Sequence, residues 1–366
     1  MGKKRLDYVD IAKGIAIIAV VLMHINYPFP SSSIAPIRAL LGYGWHVATF
    51  FIIGGFFLKE EKLLNPFSFI NGKIRSLYLL SLYFYIPAVL LHNFFIDIGW
   101  YDTAVLYGGK HITSYTLPQI AKNILETFFC AGREPILGAM WFVNVLFMAF
   151  CLMSVIASVI HRIFKGKGDA MQYVYPIVLF VLSCGANIST NCIGFNIPRC
   201  NNVFTAMWLI YIGYWVKNKA KSRFDNNWIC VTCALTFIYF CIIQPIGVDL
   251  NGNRYADLIT LTIGSLSAVY VICYLSQKIQ STYVGSILKR CGKDSFYIMA
   301  LHFIGFKIGI YMLNAFGYGI SLCSLTPQTQ GEWLLIPYYV FWGIIIPLIF
   351  MYLFRKIKFF LTTYHR

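Results

Sequence analysis

The fold class is indicated by one stretch near the N-terminus, Arg5-Leu-Asp-Tyr-Val-Asp-Ile-Ala-Lys-Gly-Ile-Ala-Ile-Ile-Ala-Val-Val-Leu-Met-His24. In it, a basic N-terminus leads directly into a long apolar run. This run carries three ionisable side chains that matter here, Asp10, Lys13 and His24. At about 100° per residue, all three return to within about 40° of one helix face. Such groups are costly in a membrane helix and usually face a bundle interior, so the stripe predicts a functional site.

The composition of the whole chain indicates a membrane protein. The 366 residues are 58% hydrophobic and 12% charged, with a mean hydropathy of +0.67. Apolar runs long enough to cross a bilayer core recur from end to end. We therefore expect an all-α, polytopic integral membrane protein with one domain over residues 1–366. No small-residue cleavage site follows the first run, which favours a retained span over a signal peptide.

Ten transmembrane helices are predicted, with both termini in the cytoplasm. The predicted spans are 8–28, 42–58, 74–95, 137–161, 172–188, 203–217, 228–246, 257–276, 295–316 and 333–354. If Met1 lies in the cytoplasm, 22 of the 30 basic residues fall on the cytoplasmic side, 6 fall on the other side, and Lys13 and Lys307 lie inside spans. The positive-inside rule explains the net charge of +16 without a nucleic-acid partner.

Some local patterns predict further details. An amphipathic helix is expected around Leu117 to Cys130, and Asp294 with Ser295 is expected to cap the ninth span. Cys192 and Cys200 share a non-cytoplasmic loop and are a candidate disulfide pair. The other cysteines are interpreted as small buried hydrophobic residues. No metal site is expected, because the one CxxC spacing has no second Cys or His pair beside it.

Helix rise predicts the depth of the polar residues. His24 lies about 21 Å along its helix from Asp10, and His46 lies about 20 Å along the second span from its cytoplasmic end, so the two rings are expected at similar depth. His302 lies about 12 Å from the cytoplasmic side. Trp141 and Asn144 open the fourth span near the outer boundary. These positions outline a polar shaft.

Two interpretations of these residues remain open. A buried histidine facing a cavity is a candidate general base, but His24, His46 and His302 also fit simple interhelical hydrogen bonding. Lys13 either serves the site or extends to the interface. The cytoplasmic cluster either sets the topology or binds an anionic, phosphate-bearing cofactor. The cluster consists of Lys73, Arg75, Lys289, Arg290 and Lys293.

The same residues resemble a known family. The segments RLDYVDIAKGIAIIAVVLMH (5–24), WHVATFFIIGGFFLKE (45–60), FSFINGKIRSLYLL (67–80), GAMWFVNVLF (138–147), YIGYWVK (211–217) and KDSFYIMALH (293–302) follow one another in order. They resemble the bacterial acyltransferase 3 family of integral membrane proteins. The Asp-Ile-Ala-Lys-Gly sequence is most similar to that of the stand-alone, fucose 4-O-acetylase-like branch of the family. Two departures are Lys13, where arginine is common, and Gly54-Gly55-Phe56 in place of Ser-Gly-Tyr.

The resemblance implies an activity. It is O-acylation, usually O-acetylation, with cytoplasmic acyl-CoA (acetyl-CoA) as the donor and a hydroxyl of a cell-surface or lipid-linked saccharide as the acceptor. By position, His24 would be the catalytic histidine, which either deprotonates the acceptor hydroxyl or relays the acyl group. Lys73 and Arg75 would hold the CoA phosphates, and Lys13 would also bind the donor. His46, Trp141, Asn144, His302 and Asp10 would form the substrate pocket. The expected location is the cell inner membrane. The runner-up is a transporter or flippase of a lipid-linked saccharide, although we see no inverted repeats and no acidic residue deep in a span.

Overall fold

The computed structural model describes residues 6–25, 44–104, 106–107, 110–165, 169–197, 199–243, 248–322, 325–327, 329, 332 and 334–364. Its α-helices, in chain order, are α1 (Asp7–Met23), α2 (Trp45–Phe56), α3 (Glu60–Leu63), α4 (Pro66–Lys73), α5 (Leu79–Leu90), α6 (His92–Asp97), α7 (Leu117–Phe128), α8 (Trp141–Ile163), α9 (Tyr175–Asn191), α10 (Asn201–Tyr214), α11 (Asn227–Ile238), α12 (Leu258–Ile279), α13 (Tyr283–Lys293), α14 (Ser295–Ala315) and α15 (Leu335–Tyr364).

Tighter or wider helical turns and one small hairpin complete the described structure. A 3₁₀ helix (Pro135–Met140) leads into α8, and π-helical turns adjoin α4, α9, α10 and α11; they are Ile74–Tyr78, Ala170–Val174, Trp215–Lys219 and Tyr239–Ile243. Strands β1 (Leu106–Tyr107) and β2 (Lys110–His111) pair antiparallel. The described fold is therefore almost wholly helical, as the composition predicts.

Every predicted span overlaps a helical segment of the structure. Five helical segments among the described residues are long and apolar enough to cross a membrane, namely Pro135–Ile163, Ala170–Asn191, Leu258–Ile279, Ser295–Ala315 and Leu335–Ile357. Trp45–Phe56 and Asn227–Cys241 are apolar but shorter. The polytopic helical class is confirmed, whereas ten spans and cytoplasmic termini stay predictions. The predicted span ends 26–28 and 244–246 and the predicted span starts 42–43 and 333 lie outside the described residues.

The chain divides into two compact units. The first unit comprises Met1–Ser33, Phe84–Met140 and Ser281–Arg366, so it is assembled from three separate stretches of chain. The second comprises Ile34–Tyr83 and Trp141–Gln280. The expectation of one domain over 1–366 stays a prediction.

In the first unit, α1 packs directly on α13. A Cβ added at Gly14 would overlap the backbone carbonyl oxygen of Leu288, and one added at Gly292 would overlap the carbonyl oxygen of Asp10. Only glycine permits this backbone approach. Beside it, the Lys289 ammonium lies 2.6 Å from the Asp7 carboxylate. The helix that carries the polar stripe is thus held in place by backbone contact.

Asp294 joins three helices of the first unit. Its carboxylate is wholly buried, accepts a bond from Arg290 Nε at 3.1 Å and pairs with the guanidinium of Arg355 on α15. The predicted capping role is wrong in its mechanism. Asp294 occupies the position before α14, but its side chain makes no capping hydrogen bond. Two arginines engage the two carboxylate oxygens instead, and at a buried site the attraction between full opposite charges exceeds that of a carboxylate for a neutral backbone N–H.

Buried polar contacts also anchor the segment that follows α6. His92 Nδ1 lies 2.9 Å from Glu134 Oε1, and the Tyr101 hydroxyl donates to the same oxygen at 2.7 Å. Burial, with the Glu134 carboxylate beside it, raises the pKa of Tyr101, so this hydroxyl keeps its proton. On α14, the buried Lys307 ammonium donates to the carbonyl oxygens of Trp100, at 2.9 Å, and Leu322. These hydrogen bonds hold the segment in place within the first unit.

The second unit is built on α2, α8, α9, α10 and α12. Ser154 on α8 donates to the carbonyl oxygen of Leu63 at 2.6 Å, which attaches the short helix α3 to α8. The Tyr214 hydroxyl donates to Glu60 Oε2 at 2.9 Å, and the Lys219 ammonium lies 3.5 Å from the same oxygen. The region between α2 and α5 is therefore fixed on both sides of α3.

Candidate functional site

His24 lies at the C-terminal end of α1 and not within the helix. The helix ends at Met23, and His24 is the first residue after it. Its ring is half-buried, and its Nδ1–H donates to the carbonyl oxygen of Val20 at 2.8 Å. This differs from the prediction of a first span that runs on to residue 28. The end of a helix gives the side chain more freedom than a position in its middle.

His302 is the neighbour of His24 in the first unit. The two ring centroids are 4.9 Å apart, with 48° between the ring planes. His302 is wholly buried on α14, and its ring centroid lies 4.3 Å from that of Phe303 and 5.6 Å from that of Phe306. Phe303 also contacts His24 at 5.0 Å. The structure thus brings together two histidines that are far apart in sequence.

Hydrogen bonding fixes the tautomer of both rings. His302 Nδ1 faces the carbonyl oxygens of Ile298, at 3.0 Å, and Met299, at 2.9 Å, just as His24 Nδ1 faces Val20. A carbonyl oxygen only accepts, so each neutral ring carries its proton on Nδ1 and a lone pair on Nε2. His302 Nε2 has no partner among the described residues. The pair therefore presents basic, nucleophilic nitrogens in apolar surroundings.

Asp10 and Lys13 form an ion pair on α1. The Lys13 ammonium lies 3.0 Å from Asp10 Oδ1, the carboxylate is buried, and the lysine side chain is 24% exposed. The two residues are one helical turn apart, as their i, i+3 spacing predicts. The pair offsets the cost of burying Asp10. The suggested roles in a substrate pocket and in cofactor binding stay predictions.

The second unit contains a cavity of about 460 Å³ beside the turn that follows α2. Its lining carries three lysines and few acidic groups. It consists of Gly54, Phe57, Leu58, Lys59, Glu61, Lys62, Asn65, Ser68, Phe69, Gly72, Lys73 and Ser76. The Lys73 ammonium lies 3.5 Å from the ring centroid of Phe150 and 5.2 Å from that of Phe69. Ammonium and hydroxyl donors on one wall suit a phosphate-bearing ligand.

Lys73 precedes the predicted third span and lies outside the five helical segments named above. Burial, with repulsion from Lys62, lowers the pKa of Lys73 to about 8, although Cys151 acts in the opposite direction. The aromatic rings of Phe69 and Phe150 favour the charged form at short range. The ammonium is therefore charged at neutral pH and close to titration.

The structure does not bring Arg75 into this cavity. Arg75 is exposed and is absent from the lining, because residues two positions apart on a helix point to different sides. Conversely, Lys59, Lys62 and Ser68 line the cavity but were not singled out from the sequence. A signal was present: polar or small residues recur at three- or four-residue spacing from Asn65 to Ser76, as on one helix face.

The other predicted pocket residues lie in the second unit. His46, in the first turn of α2, is 8% exposed and packs its ring edge against Trp45 at 5.8 Å. Asn144 on α8 is buried, and its amide oxygen accepts a bond from the Ser81 hydroxyl at 2.9 Å. Trp141 begins α8 and is half-buried. The expected approach of His46 to His24 stays a prediction.

Comparison with known proteins decides the family. A model of the acyltransferase 3 family, described as an acyltransferase domain, matches residues 6–352, nearly the whole chain. The chain belongs to the acyltransferase 3 family. No curated protein and no solved structure matches it.

Membership of the acyltransferase 3 family, together with the apolar helices, makes the protein a membrane acyltransferase. Acyl transfer to an oxygen nucleophile needs a base, and transfer from a large donor needs a binding site for the part that does not react. This acyltransferase 3 protein offers a histidine pair in one unit and a lysine-lined cavity in the other. The candidate pair of cysteines, by contrast, is not bonded: Cys192 and Cys200 are free and exposed.

Proposed function

We propose that the protein is an O-acyltransferase, most simply an O-acetyltransferase, of the cell inner membrane. The donor is cytoplasmic acyl-CoA, and the acceptor is a hydroxyl of a cell-surface or lipid-linked saccharide. The chemistry modifies a saccharide of the cell envelope. The observation that carries the proposal is the pairing of His24 with His302, because it supplies a fixed-tautomer base.

His24 Nε2 is proposed to take the proton of the acceptor hydroxyl as its oxygen attacks the acyl carbonyl carbon. Its Nδ1–H bond to Val20 holds the ring, and the same carbonyl stabilises the imidazolium that forms. A positioned general base contributes about 10²-fold to 10⁴-fold to the rate. The half-buried position of His24 allows a bulky acceptor to approach.

The lysine-lined cavity is proposed to bind the phosphates of CoA. Lys59, Lys62 and Lys73 supply the charge, and the Ser68 hydroxyl supplies a further donor. Under the predicted topology this cavity opens on the cytoplasmic side, where acyl-CoA is made. Aromatic contact with Phe150 fixes the Lys73 ammonium, so less side-chain entropy is lost on binding.

Transfer of radiolabel from acetyl-CoA tests the proposal. Membranes from cells that produce the protein are given acetyl-CoA labelled in the acetyl group, and alkali-labile label is counted in the saccharide fraction. We expect the His24→Gln variant to lose about 100-fold or more of the wild-type rate. The His111→Gln variant is the control, because His111 is an exposed residue of the hairpin.

Two outcomes would overturn the proposal. One is equal labelling by wild-type protein and the His24→Gln variant. The other is movement of a lipid-linked saccharide across vesicles without consumption of the thioester, which would favour the transporter class.

A further inference from the structure

We propose that His302 is the acyl carrier of the reaction and that the acyl group passes through an acyl-histidine at its Nε2. His24 then serves as the base of the second step only. This inference rests on the proposed function, since it assigns the two histidines to two half-reactions. It goes beyond a pocket-forming role for His302.

The first argument is the state of His302 Nε2. The residue is wholly buried, and this nitrogen has no hydrogen-bond partner among the described residues. A buried polar atom left unpaired costs about 1–3 kcal/mol, so folded proteins rarely retain one without a function. With Nδ1 held by two carbonyl oxygens, the Nε2 lone pair is oriented before any substrate arrives.

The second argument concerns the charge of the intermediate. Acylation at Nε2 of a ring that keeps its Nδ1 proton gives a cationic acyl-imidazolium. The carbonyl oxygens of Ile298 and Met299 lie at 3.0 and 2.9 Å from Nδ1, where they stabilise that charge. His24 has a single carbonyl partner at its Nδ1, that of Val20. The environment of His302 therefore suits the carrier better.

The third argument concerns water. An acylated imidazole is hydrolysed readily when water reaches it, so a carrier must be shielded. The rings of Phe303 and Phe306 lie against His302, whose side chain is wholly buried. Among the described residues, the third ring beside His302 is that of His24, which is half-buried at the end of α1. A change in the His24 rotamer uncovers His302 when substrate binds and covers it again afterwards.

The two steps balance as follows. In the first, the lone pair of His302 Nε2 attacks the thioester carbonyl carbon; the N–C bond forms, the C–S bond breaks, and CoA leaves as the thiolate. In the second, the acceptor hydroxyl oxygen attacks the same carbon; the O–C bond forms, the N–C bond breaks, and His24 Nε2 takes the hydroxyl proton. Transfer of that proton to solvent and protonation of the thiolate restore both histidines and complete CoA–SH.

Isotope exchange tests the carrier directly. Purified protein is incubated with unlabelled acetyl-CoA and radiolabelled CoA, without any acceptor, and label is counted in acetyl-CoA. Exchange requires a covalent acyl-enzyme, so we expect it in wild-type protein and in the His111→Gln control. The His24→Gln variant retains exchange but loses net transfer to saccharide. The His302→Gln variant loses both by at least about 100-fold.

The outcomes separate the two proposals. If wild-type membranes show no transfer at all, the proposed function fails. If transfer proceeds but purified wild-type protein shows no exchange, or if the His302→Gln variant still exchanges, the carrier is overturned and transfer is direct. Should the His302→Gln protein fail to fold, mass spectrometry of rapidly quenched wild-type protein decides. An acetyl group on the peptide that contains His302 supports the inference, and one on the peptide that contains His24 overturns it.

Discussion

At the scale of single residues, Lys73 and Arg75 have different surroundings although only one residue separates them. Lys73 lines the cavity and lies over Phe150, whereas Arg75 is exposed. A charge that a cavity holds in place contributes to binding, while a solvated one is screened. We therefore assign donor binding to Lys73 and leave Arg75 to the topology of the membrane segment.

Substitution of these two residues should separate their roles. We expect the Lys73→Ala variant to bind acetyl-CoA about tenfold more weakly, because a hydrogen bond to a charged group contributes about 1.5 kcal/mol or more. The Arg75→Ala variant should bind as the wild type does. Calorimetry on purified protein measures both affinities, and equal losses would contradict the assignment.

The pH dependence of binding gives an independent check on the same residue. The pKa of Lys73 is lowered to about 8, so the ammonium is charged below that pH and neutral above it. Affinity for acetyl-CoA should therefore be highest below pH 8 and fall as the pH rises through about 8. The Lys73→Arg variant keeps its charge and should show a flatter profile.

Some of the site could be predicted at this scale and some could not. His24 and His302 are visible in the sequence as ionisable residues inside apolar runs. Their contact is not visible, because nothing local links residues 24 and 302. The ion pair of Asp10 with Lys13 follows from i, i+3 spacing alone. The exclusion of Arg75 depends on which face of its helix meets the cavity, and that is decided by tertiary packing.

At the scale of secondary structure, the contact of α1 with α13 sets the position of His24. Sequence periodicity predicts α1, and it also predicts the amphipathic helix α7, which the structure confirms at Leu117–Phe128. It did not predict α13 as a separate helix, because Tyr283–Lys293 carries polar residues that read as a cytoplasmic loop. The polar face of α13 is explained by its ion pairs, which a pattern of hydrophobicity does not show.

The Gly292→Ala variant tests this contact. The added Cβ overlaps the carbonyl oxygen of Asp10, so the two helices must separate. We expect a loss of about 1–3 kcal/mol in stability, seen as a lower Tm in detergent, and a lower acyl-transfer rate. The Gly185→Ala variant is the matched control, since no atom lies within 4 Å of the Cβ it would add on helix α9. Equal melting temperatures for the two variants would contradict the packing.

At the scale of the whole molecule, two exposed cysteines make the predicted orientation in the membrane testable. Cys192 and Cys200 are free, exposed and predicted to lie on the non-cytoplasmic side. Cys323 falls in another predicted non-cytoplasmic loop, so it is first replaced by serine. In this Cys323→Ser background, a membrane-impermeant maleimide should label intact cells that produce the protein. Adding Cys192→Ser and Cys200→Ser should remove that label. Labelling only after permeabilisation would reverse the predicted topology.

The division into two units is the part of the architecture that the sequence did not predict. Hydropathy gives the order of the apolar segments but not which segments pack together, because all of them are similarly hydrophobic. Which helices pack together depends on local contacts, such as those of the glycines of α1 and α13 and of the Asp294 carboxylate. The structural role of each of these residues can be recognised only once the residue that it contacts is known.

The composition of the first unit also has a consequence for biosynthesis. Its three stretches alternate along the chain with the two stretches of the second unit, so the ribosome makes α1 long before α13, α14 and α15 exist. Until then, the backbone of Gly14 and the backbone carbonyl of Asp10 lack the α13 residues that they contact in the folded protein. Non-local pairing of this kind is slow and leaves the nascent helix open to wrong partners. We therefore expect the membrane-insertion machinery to bind and protect α1 until synthesis of the chain is nearly complete.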